Sequence, residues 1–110
     1  MKTPNLNQSY YDSVGPFSKG LARVKLNGKW GLIDQQGKEV IEPKYDQVES
    51  SFHEGFARVI IKGKWGLVDS EGKVVIEPKY DYVGSFSEGF ARVRLKGKWG
   101  LVNKQGKEQF

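Results

Sequence analysis

Apolar and charged residues alternate along three short stretches of the chain. In Ala22-Arg23-Val24-Lys25-Leu26 the first, third and fifth positions are apolar and the two between them are charged. Ala91-Arg92-Val93-Arg94-Leu95 repeats that pattern, and Ala57-Arg58-Val59-Ile60-Ile61 keeps its phase with an isoleucine in the second charged position. A period of two belongs to a strand with one face buried, not to a helix. Asn27-Gly28, Lys62-Gly63 and Lys96-Gly97 come next and predict tight hairpin turns, which need positive φ. A second strand, Lys29 to Asp34 in the first copy, places Trp30 and Leu32 on one face and Gly31 and Ile33 on the other. Asp34-Gln35-Gln36-Gly37 and Asp69-Ser70-Glu71-Gly72 begin with an acceptor side chain and end on glycine, which is turn chemistry. The third strand, Lys38 to Glu42 and Lys73 to Glu77, is expected to close at Pro43 or Pro78, which lack an N–H for the ladder. Each unit reads as a three-stranded antiparallel meander, joined to the next by a link through Tyr-Asp and Phe.

The pattern is a tandem repeat. Gly28-Lys29-Trp30-Gly31 returns as Gly63-Lys64-Trp65-Gly66 and as Gly97-Lys98-Trp99-Gly100, with 35 and 34 residues between successive tryptophans. Tyr11-Asp12-x-Val14, Tyr45-Asp46-x-Val48 and Tyr80-Asp81-x-Val83 mark another phase, followed by Phe17, Phe52 and Phe86. The extra residue of the middle copy falls in Glu49-Ser50-Ser51, which must be a loop because an insertion within a strand would exchange its faces. The units run near 11–44, 45–79 and 80–110, as one domain, with residues 1–10 as a polar cap or tail. A motif present three times serves the fold, since an active site needs one copy.

Gly-Lys-Trp-Gly-Leu-(Ile/Val)-Asp, then Gly-Lys-x-Val-Ile-x-Pro-x-Tyr-Asp, then Phe-x-Glu-Gly-x-Ala-Arg-Val resembles the WG repeat of bacterial proteins, from residue 11 to about 109. Lys19 departs from the pattern where the other copies have Glu54 and Glu88. Asn103 departs where they have Asp34 and Asp69. The resemblance implies a β-repeat module that mediates interactions, with no reaction attached. The expected fold class is all-β: three repeats of about 35 residues in an open or slightly curved array. The alternative is a closed pseudo-threefold body, which would remove edge strands.

Composition narrows the function. A chain of 110 residues buries one modest core. It has no apolar run long enough for a membrane helix, so membrane insertion is not expected. The polar start lacks a signal-peptide core, which favours a cytoplasmic location. No cysteine is present, so disulfides and thiolate zinc sites are excluded. Fourteen lysines and four arginines leave a formal charge of +5, which suits contact with nucleic acid or an acidic protein.

Candidate chemistry is sparse. His53 stands alone, where Ser18 and Ser87 occupy its position in the other copies, and a metal or catalytic role would need converging partners. Asp12, Asp46 and Asp81 repeat, as do Glu42 and Glu77. Glycosidase chemistry wants two acids in different environments, so these carboxylates read as turn acceptors or as partners of Arg23, Arg58 and Arg92. No cofactor, metal or catalytic residue is assigned, and the chain is expected not to be an enzyme. The tryptophans read as one core residue per repeat, each glycine neighbour allowing close backbone approach to the ring. Tyr45 and Tyr80 are expected to cover the link, their hydroxyls on water or backbone.

Function is sought where the copies disagree. Ile60 holds the outward position of Lys25 and Arg94, and Tyr82 replaces Ser13 and Gln47. With His53 and Arg58, these residues form the expected partner-binding set: Ile60, Tyr82, His53, Lys25, Arg94 and Arg58. The expected function is protein–protein interaction, as a small adaptor or inhibitor-like binder, through this face or through a sheet edge, with edge-to-edge homodimers as another use of the edges. The alternative is polyanion or glycan binding by the Lys/Arg stripe and exposed aromatics.

Overall fold

The computed structural model describes residues 10–110, and the expected cap at residues 1–10 lies outside them except for Tyr10. The described chain is all strand and turn. Sheet one contains β1 (Ser13–Val14), β2 (Leu21–Leu26), β3 (Lys29–Asp34) and β4 (Glu39–Tyr45). Sheet two contains β5 (Gln47–Val48), β6 (Phe56–Ile61), β7 (Lys64–Asp69) and β8 (Val74–Tyr80). Sheet three contains β9 (Tyr82–Val83), β10 (Phe90–Leu95), β11 (Lys98–Asn103) and β12 (Glu108–Gln109). Each is a four-stranded antiparallel meander in chain order, and none closes on itself. The array is open and measures 45 × 26 × 25 Å.

The expected three-stranded unit is thus short by one strand. β1, β5 and β9 lie in the link and pair with the start of the next hairpin, as Val14 does with Val24 and Val48 with Val59. A second tight turn accounts for this. Lys19-Gly20, Glu54-Gly55 and Glu88-Gly89 all have positive φ, and each closes a pair of backbone hydrogen bonds such as Ser18 to Leu21 and back. The Asn27-Gly28 class of turn has the expected positive φ at both residues. The inserted residue lies outside any strand, between Val48 and His53.

The third strand also differs from expectation. β4 and β8 run through Pro43 and Pro78 to the tyrosines. Trp30 pairs with Tyr45, Leu32 with Ile41 and Ile33 with Glu39, so β4 carries extra residues between each pairing. Bulges are where proline is tolerated, because the ladder is already interrupted there. They curl the strand across its neighbour. A Cβ on Gly31 would meet the Ile41 carbonyl, and Pro43 N at 2.7 Å; one on Gly66 would meet the Ile76 carbonyl at 2.5 Å. The glycines beside Trp30 and Trp65 are therefore required by the crossing backbone of β4 and β8, not by the ring.

The cores lie between successive sheets. Leu32, Ile41 and Tyr45 of sheet one meet Val48, Ala57, Val59 and Val68 of sheet two. Leu67, Ile76 and Tyr80 of sheet two meet Val83, Phe86, Ala91, Val93 and Val102 of sheet three. Leu32 and Ile33 are neighbours in sequence but serve different clusters, Ile33 joining Tyr11, Ala22 and Val24. Sheets one and two are each buried on both faces at their second long strand, with Gly31, Leu32 and Ile33, and Gly66, Leu67 and Val68, all buried.

Candidate functional site

A two-residue turn fixes which side chains meet across a hairpin. Asn27-Gly28 sets Lys25 opposite Trp30 and Arg23 opposite Leu32, and the other hairpins repeat this register. Each indole therefore has a direct neighbour at position 25, 60 or 94 and an arginine diagonally across. The guanidinium carbons of Arg23, Arg58 and Arg92 lie 5.6, 5.5 and 4.8 Å from the ring centres of Trp30, Trp65 and Trp99. Lys25 Nζ is 5.5 Å from Trp30 and the Arg94 guanidinium 5.7 Å from Trp99. Such distances give cation–π attraction.

The tryptophans are not enclosed core residues, as the sequence had suggested. Trp30 and Trp65 are half-buried at the rims of the inter-sheet cores, and Trp99 is exposed. The stacked cations cover their outer sides. That stacking could have been read from the turn, since a two-residue loop dictates the pairing.

Tyr82 joins two repeats. It pairs with Arg94 across β9 and β10, and its ring lies 5.0 Å from Trp65 and 5.9 Å from Trp99. Ser13 and Gln47 hold its place in the other copies, pairing with Lys25 and Ile60. Ile60 is half-buried rather than outward-facing. It lines a shallow groove of about 150 Å³ with Gln47, Val48, Glu49, Arg58 and Trp65. The structure thus brings Ile60, Arg58, Tyr82 and Arg94 into one band around Trp65 and Trp99. Lys25 sits apart over Trp30, and His53 is exposed at a hairpin turn, in a separate groove with Lys19, Ser50 and Ser85.

Charge differs along this band. Glu49 accepts from Arg58 Nη2 at 2.8 Å and from the Arg58 backbone N–H at 2.8 Å, while Arg58 Nη1 donates to the Val83 carbonyl at 3.2 Å. The hydrogen bond to Glu49 raises the guanidinium pKa above its ordinary value. Gly15 and Gly84 occupy the backbone position of Glu49 in the other copies, each donating to the carbonyl of the matching arginine. Among the described residues only Arg58 has the acidic partner expected for Arg23, Arg58 and Arg92, and that partner is Glu49, in the loop of the middle copy.

The repeated aspartates serve a different purpose. Asp46 accepts from Lys29 Nζ at 2.7 Å and from the Lys62 N–H at 2.7 Å; Asp81 accepts from Lys64 Nζ at 2.9 Å and from the Lys96 N–H at 3.0 Å. Each ties the preceding sheet's lysine to its own sheet's hairpin turn. The lysine hydrogen bond, with the turn N–H behind it, holds both carboxyls below their ordinary pKa. The tyrosine hydroxyls meet carboxylates: Tyr11 donates to Glu39 at 2.8 Å and Tyr80 to Glu108. Burial, then the acidic neighbours, pushes Tyr11, Tyr45 and Tyr80 upward in pKa.

A family model described as WG containing repeat matches residues 9–30, 30–65 and 65–99, most of the chain and nearly tryptophan to tryptophan. The chain belongs to the WG repeat family. Neither a curated protein nor a solved structure matches it. In WG repeat terms, each matched window begins or ends at the Trp-Gly pair, whereas the sheets divide at Asp46 and Asp81. Among the described residues no three His, Asp or Glu side chains converge as a metal site would require. The band offers stacking faces and fixed guanidinium groups, the chemistry of recognition.

Proposed function

We propose that this WG repeat chain is a non-catalytic module that binds another protein through the band formed by Ile60, Trp65, Tyr82 and Trp99 with Arg58, Arg92 and Arg94. The observation that carries this reading is the bridging of Trp65 and Trp99 by Tyr82 under stacked arginines, half-exposed and present in no other pair of repeats. Aromatics and arginine are the residues on which binding energy concentrates at protein interfaces. The face is a better candidate than an edge. β1 and β5 are two residues long, and β4 and β8 are bulged and carry proline, all poor templates for an added strand.

The test uses substitutions that the fold already accepts at equivalent positions: Ile60→Lys, as at Lys25, and Tyr82→Ser, as at Ser13. A protein captured from host lysate should stay bound at high salt and lose about tenfold or more in affinity with the double variant. Capture of nucleic acid or a glycan at low salt alone, untouched by the variant, would overturn the proposal in favour of the basic stripe.

A further inference from the structure

The two inner junctions are built from the same rungs. At each, a lysine of one sheet meets an aspartate of the next: Lys29 with Asp46 at 2.7 Å, and Lys64 with Asp81 at 2.9 Å. Each also joins the first residue of the long hairpin to the phenylalanine that follows the next link. Phe56 stacks on Phe86 at 4.4 Å, and Leu21 packs in one cluster with Phe52. Each seats a leucine completely, Leu32 at 0% exposure and Leu67 at 1%.

The ends of the array carry the separated rim contacts of one more such junction. Sheet three presents Phe90, Lys98 and Leu101, with Phe90 42% and Leu101 36% exposed. Sheet one presents Asp12 and Phe17, Phe17 being 40% exposed. Asp12 accepts from the Asn27 N–H at 2.8 Å, as Asp46 and Asp81 do from their turns, but among the described residues it meets no lysine. Lys98 likewise meets no aspartate among the described residues. Trp30 and Trp65 lie opposite tyrosines of β4 and β8, and no such pairing is made by Trp99.

We infer that the occupant of the sheet-three face is a second copy of this chain, docked head to tail. Lys98 of one copy meets Asp12 of the next, and Phe90 meets Phe17. The contact is continuous with the internal junctions and complementary in charge. A symmetric joint between two sheet-three faces would instead oppose Arg92, Arg94 and Lys98 with their own copies. Ala22, Val24 and Ile33 at the centre of the receiving face are already buried, so the joint is made by its rim, at Asp12 and Phe17. A head-to-tail joint leaves a free end on each copy, so association continues beyond the dimer unless an end is blocked. This inference does not depend on the partner-binding reading, and a docked copy would compete with that partner for Arg92, Arg94 and Trp99.

Sedimentation velocity over a concentration series tests it, with far-UV circular dichroism verifying that each variant folds. The unaltered chain should show a concentration-dependent series of species beyond the dimer. Phe90→Asp blocks one end and Phe17→Asp the other. Each variant alone should associate about tenfold or more weakly. Their equimolar mixture should form a dimer and stop there, because only one matched pair of ends remains. Reversing the ion pair provides a second measurement on less disruptive changes: Lys98→Asp should weaken association, and adding Asp12→Lys to it should restore association. A chain that stays monomeric throughout would overturn the inference. So would dimers of Phe17→Asp alone, which would reveal a symmetric joint, or a mixture no different from its components.

Discussion

At the scale of single residues, glycine and positive φ decide most of this fold. Gly31 and Gly66 have ordinary backbone angles, yet each lies under a crossing strand whose backbone cannot yield. Gly63 is the reverse case, with φ of 76° and open space around the missing Cβ. Alanine at Gly63 should cost about 1 kcal/mol of backbone strain. Alanine at Gly31 or Gly66 should cost about 3 kcal/mol or more, since β4 or β8 must be displaced. Urea unfolding of the three variants checks the order, and equal losses would refute the crossing-strand account. The turns offer a gain by the same reasoning. Lys62 and Lys96 hold φ of 53° without the local hydrogen bonding that lets asparagine tolerate it, whereas Asn27 occupies the equivalent place in the first hairpin. Lys62→Asn should stabilise the chain by up to about 1 kcal/mol, a rise of roughly 4 °C in thermal midpoint. Its backbone N–H still donates to Asp46, so the turn contact is retained.

At the scale of elements, the long hairpins were legible because alternation and an x-Gly turn agree over twelve or so residues. Lys29–Asp34 emerges with the bounds the pattern predicts. The two-residue strands β1, β5 and β9 were not legible, since a run that short has no period. Their signal was the second x-Gly pair at Gly20, Gly55 and Gly89. Ile60 and Tyr82 could be found because the copies differ there, but the convergence of Tyr82 on two tryptophans depends on sheet stacking, which no local pattern encodes. Asp46 and Asp81 also act between elements, and acid tests them. Their folded pKa values lie below the ordinary carboxylate value of about 3.9, so the stability they contribute is present above that value and lost as pH falls through the folded pKa. Asp46→Asn with Asp81→Asn should therefore be less stable than the unaltered chain near neutral pH, and the difference should shrink on titration towards about pH 2. A difference independent of pH would assign the loss to turn capping alone.

At the scale of the whole molecule, an open stack of sheets has unequal ends, and equivalent leucines report on the asymmetry. Leu32, Leu67 and Leu101 follow the same Trp-Gly pair, yet the first two are sealed between sheets while the third is 36% exposed. Truncation of a sealed leucine to alanine costs about 2–5 kcal/mol, through lost transfer energy and the cavity left behind. Leu32→Ala and Leu67→Ala should fall in that range. Leu101→Ala leaves no closed cavity and gives up less buried area, so it should cost about 1 kcal/mol or less in dilute solution. Identical sequence motifs would thus differ severalfold in energetic weight through position in the stack alone. The small cost is also conditional. If a second copy seats on sheet three, Leu101 becomes an interface residue, and association stabilises the folded chain by mass action. The deficit of Leu101→Ala should then widen with protein concentration while those of Leu32→Ala and Leu67→Ala stay constant. Thermal midpoints of the three variants, each referred to the unaltered chain at matched low and high concentrations, separate the two contributions. Parallel behaviour of all three would mean that the sheet-three face remains in water.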